Sequence, residues 1–241
     1  MGNLRVGTAG WTVPRGQAKI FGLTGSHLQR YATALNCVEV NSSFYRPHAL
    51  KTWERWAAAV PEGFKFAVKA PKAVTHEAKL FDCGGALVDF FGQVLGLRDK
   101  LGPVLFQLPP KGVFMESAVR EFLTTLRELY GGLVALEPRH VSWFGSEANR
   151  LLREYGVARV AADPPQGSPL AARPDGDVGW RYFRWHGSPR IYWSAYEDER
   201  LKGLAAEIEN YGRGESWVIF DNTAAGFAME NALSLAALRK S

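Results

Sequence analysis

The feature that most constrains this chain is a pattern in which a short apolar run ends abruptly on polar or charged residues and is followed by a segment of helical periodicity. Such a pattern is typical of buried parallel strands that alternate with covering helices. Eight of these strand-helix units are predicted in a chain of 241 residues. Length and count together favour an α/β fold, a single TIM-like (β/α)8 barrel that occupies residues 1–241 as one domain, over an open sheet.

The predicted strands cover residues 4–8, 37–41, 64–70, 104–108, 134–140, 158–162, 180–185 and 216–220. Helical spacing of apolar residues is predicted for 50–60, 84–100, 116–130, 197–211 and 227–238, with a further helix that runs to residue 155. Ser26 and Gln29 form the sequence signature of a capping box at the start of the first helix. Residues between Asp163 and Gly179 are rich in Pro, Gly, Asp and Arg without helical spacing, so an irregular segment is expected in place of the sixth helix.

The charge of the chain limits the kinds of partner that we expect, and its cysteine content indicates the cellular compartment. The net charge of +5 comes without a long run of Lys or Arg, which favours a solvated basic surface over an arm for nucleic acid. Cys37 and Cys83 stand in no metal-binding spacing, and two cysteines in a chain of this length indicate reduced thiols. No apolar run approaches the ~20 residues of a membrane span. We therefore expect a soluble, cytoplasmic protein that makes no membrane contact.

The stretch 134–140, Val-Ala-Leu-Glu-Pro-Arg-His, shows how the strands end. The alternation of side chains along a strand places Glu137 and Arg139 on one face, opposite Val134 and Leu136. The other predicted strands end similarly on polar residues, and in a barrel those ends meet at one mouth, where active sites of this fold lie. The residues in question are Glu39, Asn41, Lys69, Gln107, Glu137, Arg139, His140, Asp163, Arg184, His186, Asp221 and Asn222.

Acids, bases and cations at one mouth indicate a catalytic set. We predict catalytic roles for Glu39, Lys69, Glu137, Arg139, His140, Asp163 and His186. Substrate-binding roles are predicted for Trp11, Asn41, Tyr45, Gln107, Trp143, Arg184 and Asn222. Three alternatives remain open: the charges are ion pairs that fill the barrel (Glu39 with Lys69, Glu137 with Arg139, Asp163 with Arg184), the histidines are structural, and the aromatic rings are ordinary packing.

Two further chemistries are less favoured by the charges. Carboxylates near Lys69 would raise the pKa of its amine, which favours an electrostatic role over a Schiff base. Glu137, Asp163 and His186 are able to hold a divalent metal, but the arginines beside them argue against it. No metal ligands are therefore assigned, and the cofactor and the oligomeric state are left open.

The motifs at the strand ends resemble those of the YecE-like family called domain of unknown function 72. The resemblance rests on Gly7-Thr8-Ala9-Gly10-Trp11, Val38-Glu39-Val40-Asn41-Ser42-Ser43-Phe44-Tyr45, Phe66-Ala67-Val68-Lys69-Ala70-Pro71, Pro103-Val104-Leu105-Phe106-Gln107-Leu108-Pro109-Pro110 and Ala135-Leu136-Glu137-Pro138-Arg139-His140, and it extends through Arg184-Trp185-His186-Gly187 and Asn222. It implies a TIM-barrel-like fold and brings no activity with it. The chain departs from the family's sequence pattern at Asp221, because that pattern resembles an Asn-Asn pair at this position.

Three functions compete. An enzyme that performs proton-transfer or hydrolytic chemistry on a small polar substrate, sugar-like or phosphorylated, fits the convergent acids and cations, and it would be a hydrolase, lyase or isomerase. A nucleic-acid-processing barrel resembling endonuclease IV fits the positive charge, but a multi-zinc site of that kind needs more histidines than His76, His140 and His186. A non-catalytic ligand-binding protein is the third.

Overall fold

A computed structural model describes residues 3–22, 24–176 and 179–238 of the chain. Strands and helices alternate along it, as the apolar pattern predicts. The elements in order are β1 (Leu4–Thr8), α1 (His27–Tyr31), β2 (Cys37–Val40), α2 (Ser42–Tyr45), α3 (Leu50–Ala58), β3 (Lys65–Lys69), α4 (Gly84–Val94), β4 (Leu101–Gln107), α5 (Glu116–Leu129), β5 (Val134–Glu137), α6 (Ser146–Glu154), β6 (Val157–Arg159), β7 (Ala161–Asp163), β8 (Trp180–Trp185), α7 (Asp198–Asn210), β9 (Glu215–Phe220) and α8 (Phe227–Leu238).

All strands pair in parallel, in two sheets with the orders β1-β9-β8-β7 and β2-β3-β4-β5-β6. The two sheets meet at two places. Ala9 and Glu39 form an isolated parallel bridge between the ends of β1 and β2. On the other side, the predicted strand 158–162 is divided into β6 and β7, with Val160 between them. The Val160 amide donates to the Leu136 carbonyl of β5 at 3.0 Å. The chain is thus an α/β protein with parallel sheets.

The alternation of side chains sorts the strand residues into two buried layers. The larger layer packs against the helices and includes Val134 and Leu136. The smaller layer, here the inner cluster, lies on the opposite face of the strands and consists of Cys37, Ala67, Leu105, Ala135, Ala158, Val160, Trp180, Tyr182, Trp217 and Ile219. Polar residues continue the same alternation beyond the inner cluster, which brings Glu39, Glu137 and Arg184 to the inner face at the carboxyl ends of their strands.

The helical predictions hold with local changes. The capping box at α1 is present, with the Ser26 amide donating to Gln29 Oε1 at 2.8 Å. Predicted helix 84–100 is α4 followed by a 3₁₀ segment, Leu95–Lys100, in which Arg98 has a φ of 53°. The segment after Asp163 contains a 3₁₀ turn, Pro169–Ala172, and its described residues up to 176 contain no α-helix. Asp177 and Val178 of that predicted segment lie outside the described residues.

The structure also bears on the cysteines and on membrane-spanning helices, the two features from which the compartment was predicted. Cys37 and Cys83 are both free and both buried. Over the described ranges, none of the helices combines the length and the hydropathy that crossing a bilayer requires.

Candidate functional site

A buried ionic network lies where the inner faces of four strands end. We call it the ionic floor, and it consists of Glu39, Glu137, Arg184, His186 and Asp221. Each of these residues has an exposed fraction of 6% or less. Each member lies an even number of residues after an inner-cluster residue, within its strand or just beyond it. Because side chains alternate between the two faces of a strand, all five lie on the inner face, at the carboxyl ends of the strands.

Arg184 is the centre of the ionic floor. Its guanidinium donates to Glu39 from Nε and Nη2, at 3.1 and 2.9 Å, and to Glu137 from Nη1 at 3.1 Å. Nη2 also lies 2.9 Å from Asp221 Oδ2. Three carboxylates around one arginine satisfy a buried cation fully, and they hold its pKa well above the ordinary value against the lowering effect of burial.

Glu137 and Asp221 share a second cation, His186. The His186 Nδ1 atom lies 3.1 Å from Asp221 Oδ2, and Nε2 lies 3.4 Å from Glu137 Oε1. Burial alone lowers the pKa of His186, but the Glu137 charge and the contacts with both carboxylates outweigh burial and raise it. The same contacts, with Arg139 and Arg184 beside Glu137, hold the pKa of Glu137 well below its ordinary value although burial raises it. The His186 imidazole therefore holds a proton more tightly than an ordinary histidine does.

Lys69 stands at the edge of this network. Its ammonium lies 4.2 Å from the centre of the Phe44 ring, and among the described residues no carboxylate lies within 4.0 Å of it. The side chain is 8% exposed. Burial and the Arg184 charge lower the pKa of Lys69 to about 8, and the more distant Glu39, Glu137 and Asp221 only partly offset them. The carboxylates do raise this pKa, as expected, but the expected net increase is wrong, because burial and the Arg184 charge outweigh them.

Arg139 and His76 are two further basic residues of the site. Arg139 donates to Glu137 Oε1 from Nε at 2.9 Å and from Nη2 at 2.7 Å, and in the described part of the chain its Nη1 has no hydrogen-bond partner. His76, on a π-helical turn (Ala73–Glu77), contacts Thr75 Oγ1 through Nδ1 at 2.9 Å and packs edge-on against Phe44. Burial, then the charges of Lys69 and Arg139, lower the pKa of His76.

Two residues of the predicted catalytic set lie away from the ionic floor. Asp163 binds Arg200 at 2.7 Å and accepts a hydrogen bond from Tyr196, so its carboxylate faces α7 and not Arg184. The His140 Nδ1 atom contacts Ser142 Oγ at 2.8 Å and caps the following 3₁₀ turn. The predicted pairs Asp163–Arg184 and Glu39–Lys69 are therefore wrong, whereas Glu137–Arg139 is confirmed at 2.7 Å.

The predicted substrate-binding residues divide in the same way. Trp143 is 1% exposed and donates from Nε1 to the Gly112 carbonyl at 2.8 Å, so its ring is packed inside the protein, and its predicted role toward a ligand stays a prediction. Asn222 is fully buried and donates to Ser194 and Asn231, which ties the loop after β8 to α8. Arg184 belongs to the ionic floor rather than to a ligand surface.

The remaining four predicted binding residues stay near the strand ends. Asn41 donates weakly to Asp221 Oδ1 at 3.5 Å, and its own Oδ1 is buried with no partner among the described residues. Gln107 is 6% exposed at the end of β4. Trp11 packs edge-on against Trp56, and Tyr45 is 73% exposed. Their roles toward a ligand stay predictions.

The predicted set lacks several residues that the site contains. Asp221 is one, although the strand pattern contains its signal, since it continues the alternation Trp217, Ile219 along β9. Tyr182, which donates to Glu39 Oε2 at 2.7 Å, follows the same parity on β8. Nothing in the strand pattern points to His76 or Phe44, because both lie in segments after their strands. Among the described residues, no group of three His, Cys, Asp or Glu side chains is arranged to hold a metal ion.

The fold and the site together define a class of protein: an α/β protein with parallel sheets covered by helices and an ionic network at the carboxyl ends of the strands. The chain belongs to the family described as "Protein of unknown function DUF72", which matches residues 5–241. A relative from Escherichia coli K12, UPF0759 protein YecE, is 30% identical over 164 residues, or 66% of this chain. The chain spans 58% of the length of that relative. UPF0759 protein YunF of Bacillus subtilis is 27% identical and aligns over 85% of this chain and 83% of its own.

Solved structures agree with the family. A DUF72 family protein of Enterococcus faecalis V583 superposes with a TM-score of 0.82 at 20% identity, over 99% of this chain and 96% of that one. A DUF72 family protein of Thermotoga maritima gives 0.78 at 25% identity, over 99% and 100%. D-Psicose 3-epimerase of Clostridium cellulolyticum H10, solved with D-tagatose, gives 0.55 at 11% identity over 89% and 91%, a likeness of fold alone.

Proposed function

We propose that this protein is an enzyme that performs proton-transfer or hydrolytic chemistry on a small polar substrate at the carboxyl-end mouth of a closed (β/α)8-like barrel. Closure is supported by the Ala9–Glu39 bridge on one side and by the Val160 amide bond to Leu136 on the other. With both junctions in place, the ends of all strands face one mouth, above the ionic floor. The two free, buried thiols support a cytoplasmic location.

The observation that carries the proposal is the state of Lys69. An amine with a pKa of about 8 exchanges its proton near neutral pH, as acid-base catalysis requires. It is largely buried, it points at no carboxylate within 4.0 Å in the described part of the chain, and it rests on the Phe44 ring. Strong perturbation of a pKa by burial and by a specific charge is characteristic of functional groups.

The proposed step moves one proton. In its amine form, Lys69 takes a proton from the carbon next to a substrate carbonyl and becomes an ammonium; the electron pair of the C–H bond moves toward the carbonyl oxygen, where the Arg139 charge stabilises it. In the hydrolytic form of the step, Lys69 takes the proton of a water whose oxygen bonds to the substrate carbonyl carbon, and the bond to the leaving group then breaks with its electron pair going to that group. Return of the proton from Lys69 to the product or leaving group restores the amine.

The ionic floor supports this step without exchanging protons. Glu137 has a pKa well below its ordinary range, so it is a poor base at neutral pH, and the two carboxylates beside His186 raise its pKa, which favours the protonated form. Both are positioning residues in this proposal. Glu137 accepts two hydrogen bonds from Arg139 and thereby fixes its guanidinium beside the mouth.

Isotope incorporation tests the proposal and finds the substrate in the same experiment. A panel of sugars and sugar phosphates is incubated with the protein in D₂O or in H₂¹⁸O, and solvent isotope in any compound is read by mass spectrometry. A compound processed by the wild type is then tested with Lys69→Met, for which a fall of ~10²-fold or more is expected. Arg200→Met is the matched control, because Arg200 pairs with Asp163 outside the floor. Unchanged incorporation by Lys69→Met contradicts the proposal.

A second candidate, the processing of nucleic acid, is favoured by exposed aromatic side chains on segments that follow strands. Tyr45 is 73% exposed, and Trp193 is 46% exposed with the Arg190 guanidinium 4.6 Å from its ring centre. Stacking rings beside cations suit single-stranded nucleic acid. Fluorescence anisotropy of a labelled oligonucleotide at physiological salt separates the two candidates, since tight binding that Trp193→Ala abolishes supports nucleic acid. A third candidate, a non-catalytic binding protein, predicts ligand binding with no isotope incorporation.

A further inference from the structure

The mouth contains positively charged groups that the ionic floor does not neutralise. The carboxylates of Glu39, Glu137 and Asp221 all contact Arg184, Arg139 or His186. Lys69, in contrast, has no carboxylate within 4.0 Å among the described residues, so its charge has no partner. His76 stands next to that charge and has no carboxylate within 4.0 Å among the described residues; its neighbour Glu77 pairs with Lys72 at 3.1 Å. An uncompensated group of cations and donors in a partly buried site attracts an anion.

We propose that Arg139 and His76, beside Lys69, form a subsite for the phosphate group of a phosphate monoester. The inference rests on the proposed location of the substrate at this mouth, but not on proton transfer by Lys69. It names the substrate class as phosphorylated rather than uncharged.

Two of the three groups contact one ring. Phe44 carries the Lys69 ammonium 4.2 Å from its centre and the His76 ring at 5.0 Å, in a T-shaped contact. Arg139, just beyond β5, is near enough for its charge to act on His76, and its Nη1 is unpaired in the described part of the chain. Gly167, at a φ of +77°, packs directly against the Arg139 carbonyl: a Cβ on residue 167 would lie 2.7 Å from that oxygen. This close backbone contact holds the backbone of Arg139 in place.

Charge decides between a phosphate monoester and a carboxylate. The site has one uncompensated charge while His76 is neutral, and its pKa is held low by burial and by Lys69 and Arg139, the two cations that face it. A carboxylate neutralises that one charge. A phosphate dianion brings a second negative charge, which favours protonation of His76. Phosphate binding should therefore take up a proton at His76, and carboxylate binding should not.

The test uses inorganic phosphate as the probe and acetate as the comparison. Titration calorimetry near pH 7, in two buffers of different ionisation enthalpy, gives the affinity and the number of protons taken up. We expect phosphate binding with proton uptake, and NMR of the histidine rings should show His76 becoming protonated. His76→Gln keeps the size of the side chain and should weaken phosphate binding about tenfold and abolish the uptake. His27→Gln is the control, since His27 is exposed at the start of α1, and it should leave both unchanged.

Three results would overturn the subsite: no phosphate binding by the folded wild type, acetate binding as tight as phosphate without proton uptake, or full retention of affinity and uptake by His76→Gln. Arg139→Lys guards against loss of folding, because it keeps the charge beside Glu137 and should still weaken phosphate binding. Phosphate binding by a wild type that incorporates no isotope supports the subsite while contradicting proton transfer, so the two proposals fail separately.

Discussion

Arg184 and Glu39 form a forked ion pair in which both side chains are fully buried. The guanidinium donates from Nε to both oxygens of Glu39 at 3.1 Å and from Nη2 to Oε1 at 2.9 Å. Tyr182 donates to the second oxygen at 2.7 Å. A carboxylate with its oxygens so occupied has no free lone pair for a ligand, so we expect Glu39 to hold Arg184 in position rather than to contact a substrate.

Removing one partner of this pair should destabilise the protein strongly. Glu39→Gln leaves a buried guanidinium partly uncompensated, and a loss of about 3 kcal/mol in the free energy of unfolding is expected from urea denaturation. Asp163→Asn breaks a pair whose arginine is 48% exposed, and its loss should stay below about 1 kcal/mol. Equal losses in the two variants would show that the ionic floor is not the buried unit described above.

His186 should make stability fall on the alkaline side. Its pKa is raised in the folded protein above the ordinary 6.5, so its contribution is fully present below pH 6.5 and is lost as the pH rises through the folded value. Asp221 acts in the opposite sense: its pKa is lowered from 3.8, and its contribution is lost as the pH falls through the folded value. His186→Gln should flatten the alkaline side of the profile and change the acid side less, because Arg184 remains to lower the pKa of Asp221. An unaltered alkaline slope would contradict this assignment.

Lys69→Met should stabilise the protein at neutral pH. Folding lowers the pKa of Lys69 from 10.5 to about 8, so the folded state disfavours the charged amine below pH 8, and this penalty disappears as the pH rises from 8 to 10.5. Methionine removes the penalty and loses the contact with Phe44, for a net gain on the order of 2 kcal/mol in the free energy of unfolding. Lys72→Met, at an exposed pair, should change stability by less than about 0.5 kcal/mol. Destabilisation by Lys69→Met would show that Lys69 is a structural cation.

Trp143→Phe should affect the fold but not the ligand. The indole Nε1 donates to the Gly112 carbonyl at 2.8 Å in a buried place, and its loss should lower the free energy of unfolding by about 1 kcal/mol or more. Phosphate affinity and isotope incorporation should not change. A selective loss of either activity would restore the predicted substrate-binding role of Trp143.

Strand parity explains how much of the site was predictable from sequence. The alternation fixes the face of each side chain, and the structure accordingly brings Glu39, Glu137, Arg184 and His186 together. Parity does not fix which neighbour a long side chain reaches. That depends on the order and twist of the strands, and Arg184 of β8 spans to Glu39 of β2 across the inner face, leaving Asp163 to Arg200.

The positions of residues on the segments that connect strands and helices could not be predicted from the sequence pattern. Trp143 and Asn222 look like mouth residues in sequence because each follows a strand closely, but both are buried and donate hydrogen bonds to neighbouring segments. His76 reaches the site through a π-helical turn, a local geometry that the pattern of apolar residues does not encode. Strand ends were thus predictable one face at a time, whereas the segments after them were not.

The central claim is that Lys69 is an amine poised to exchange a proton at the mouth, and its titration tests that claim most directly. Protein labelled with ¹³C in its lysine side chains is titrated by NMR, and the Lys69 ε-carbon resonance is assigned by its disappearance in Lys69→Met. The structure predicts a midpoint near pH 8, against the ordinary 10.5. A midpoint of about 10 or above would contradict the claim, because an amine of ordinary pKa keeps its proton at neutral pH.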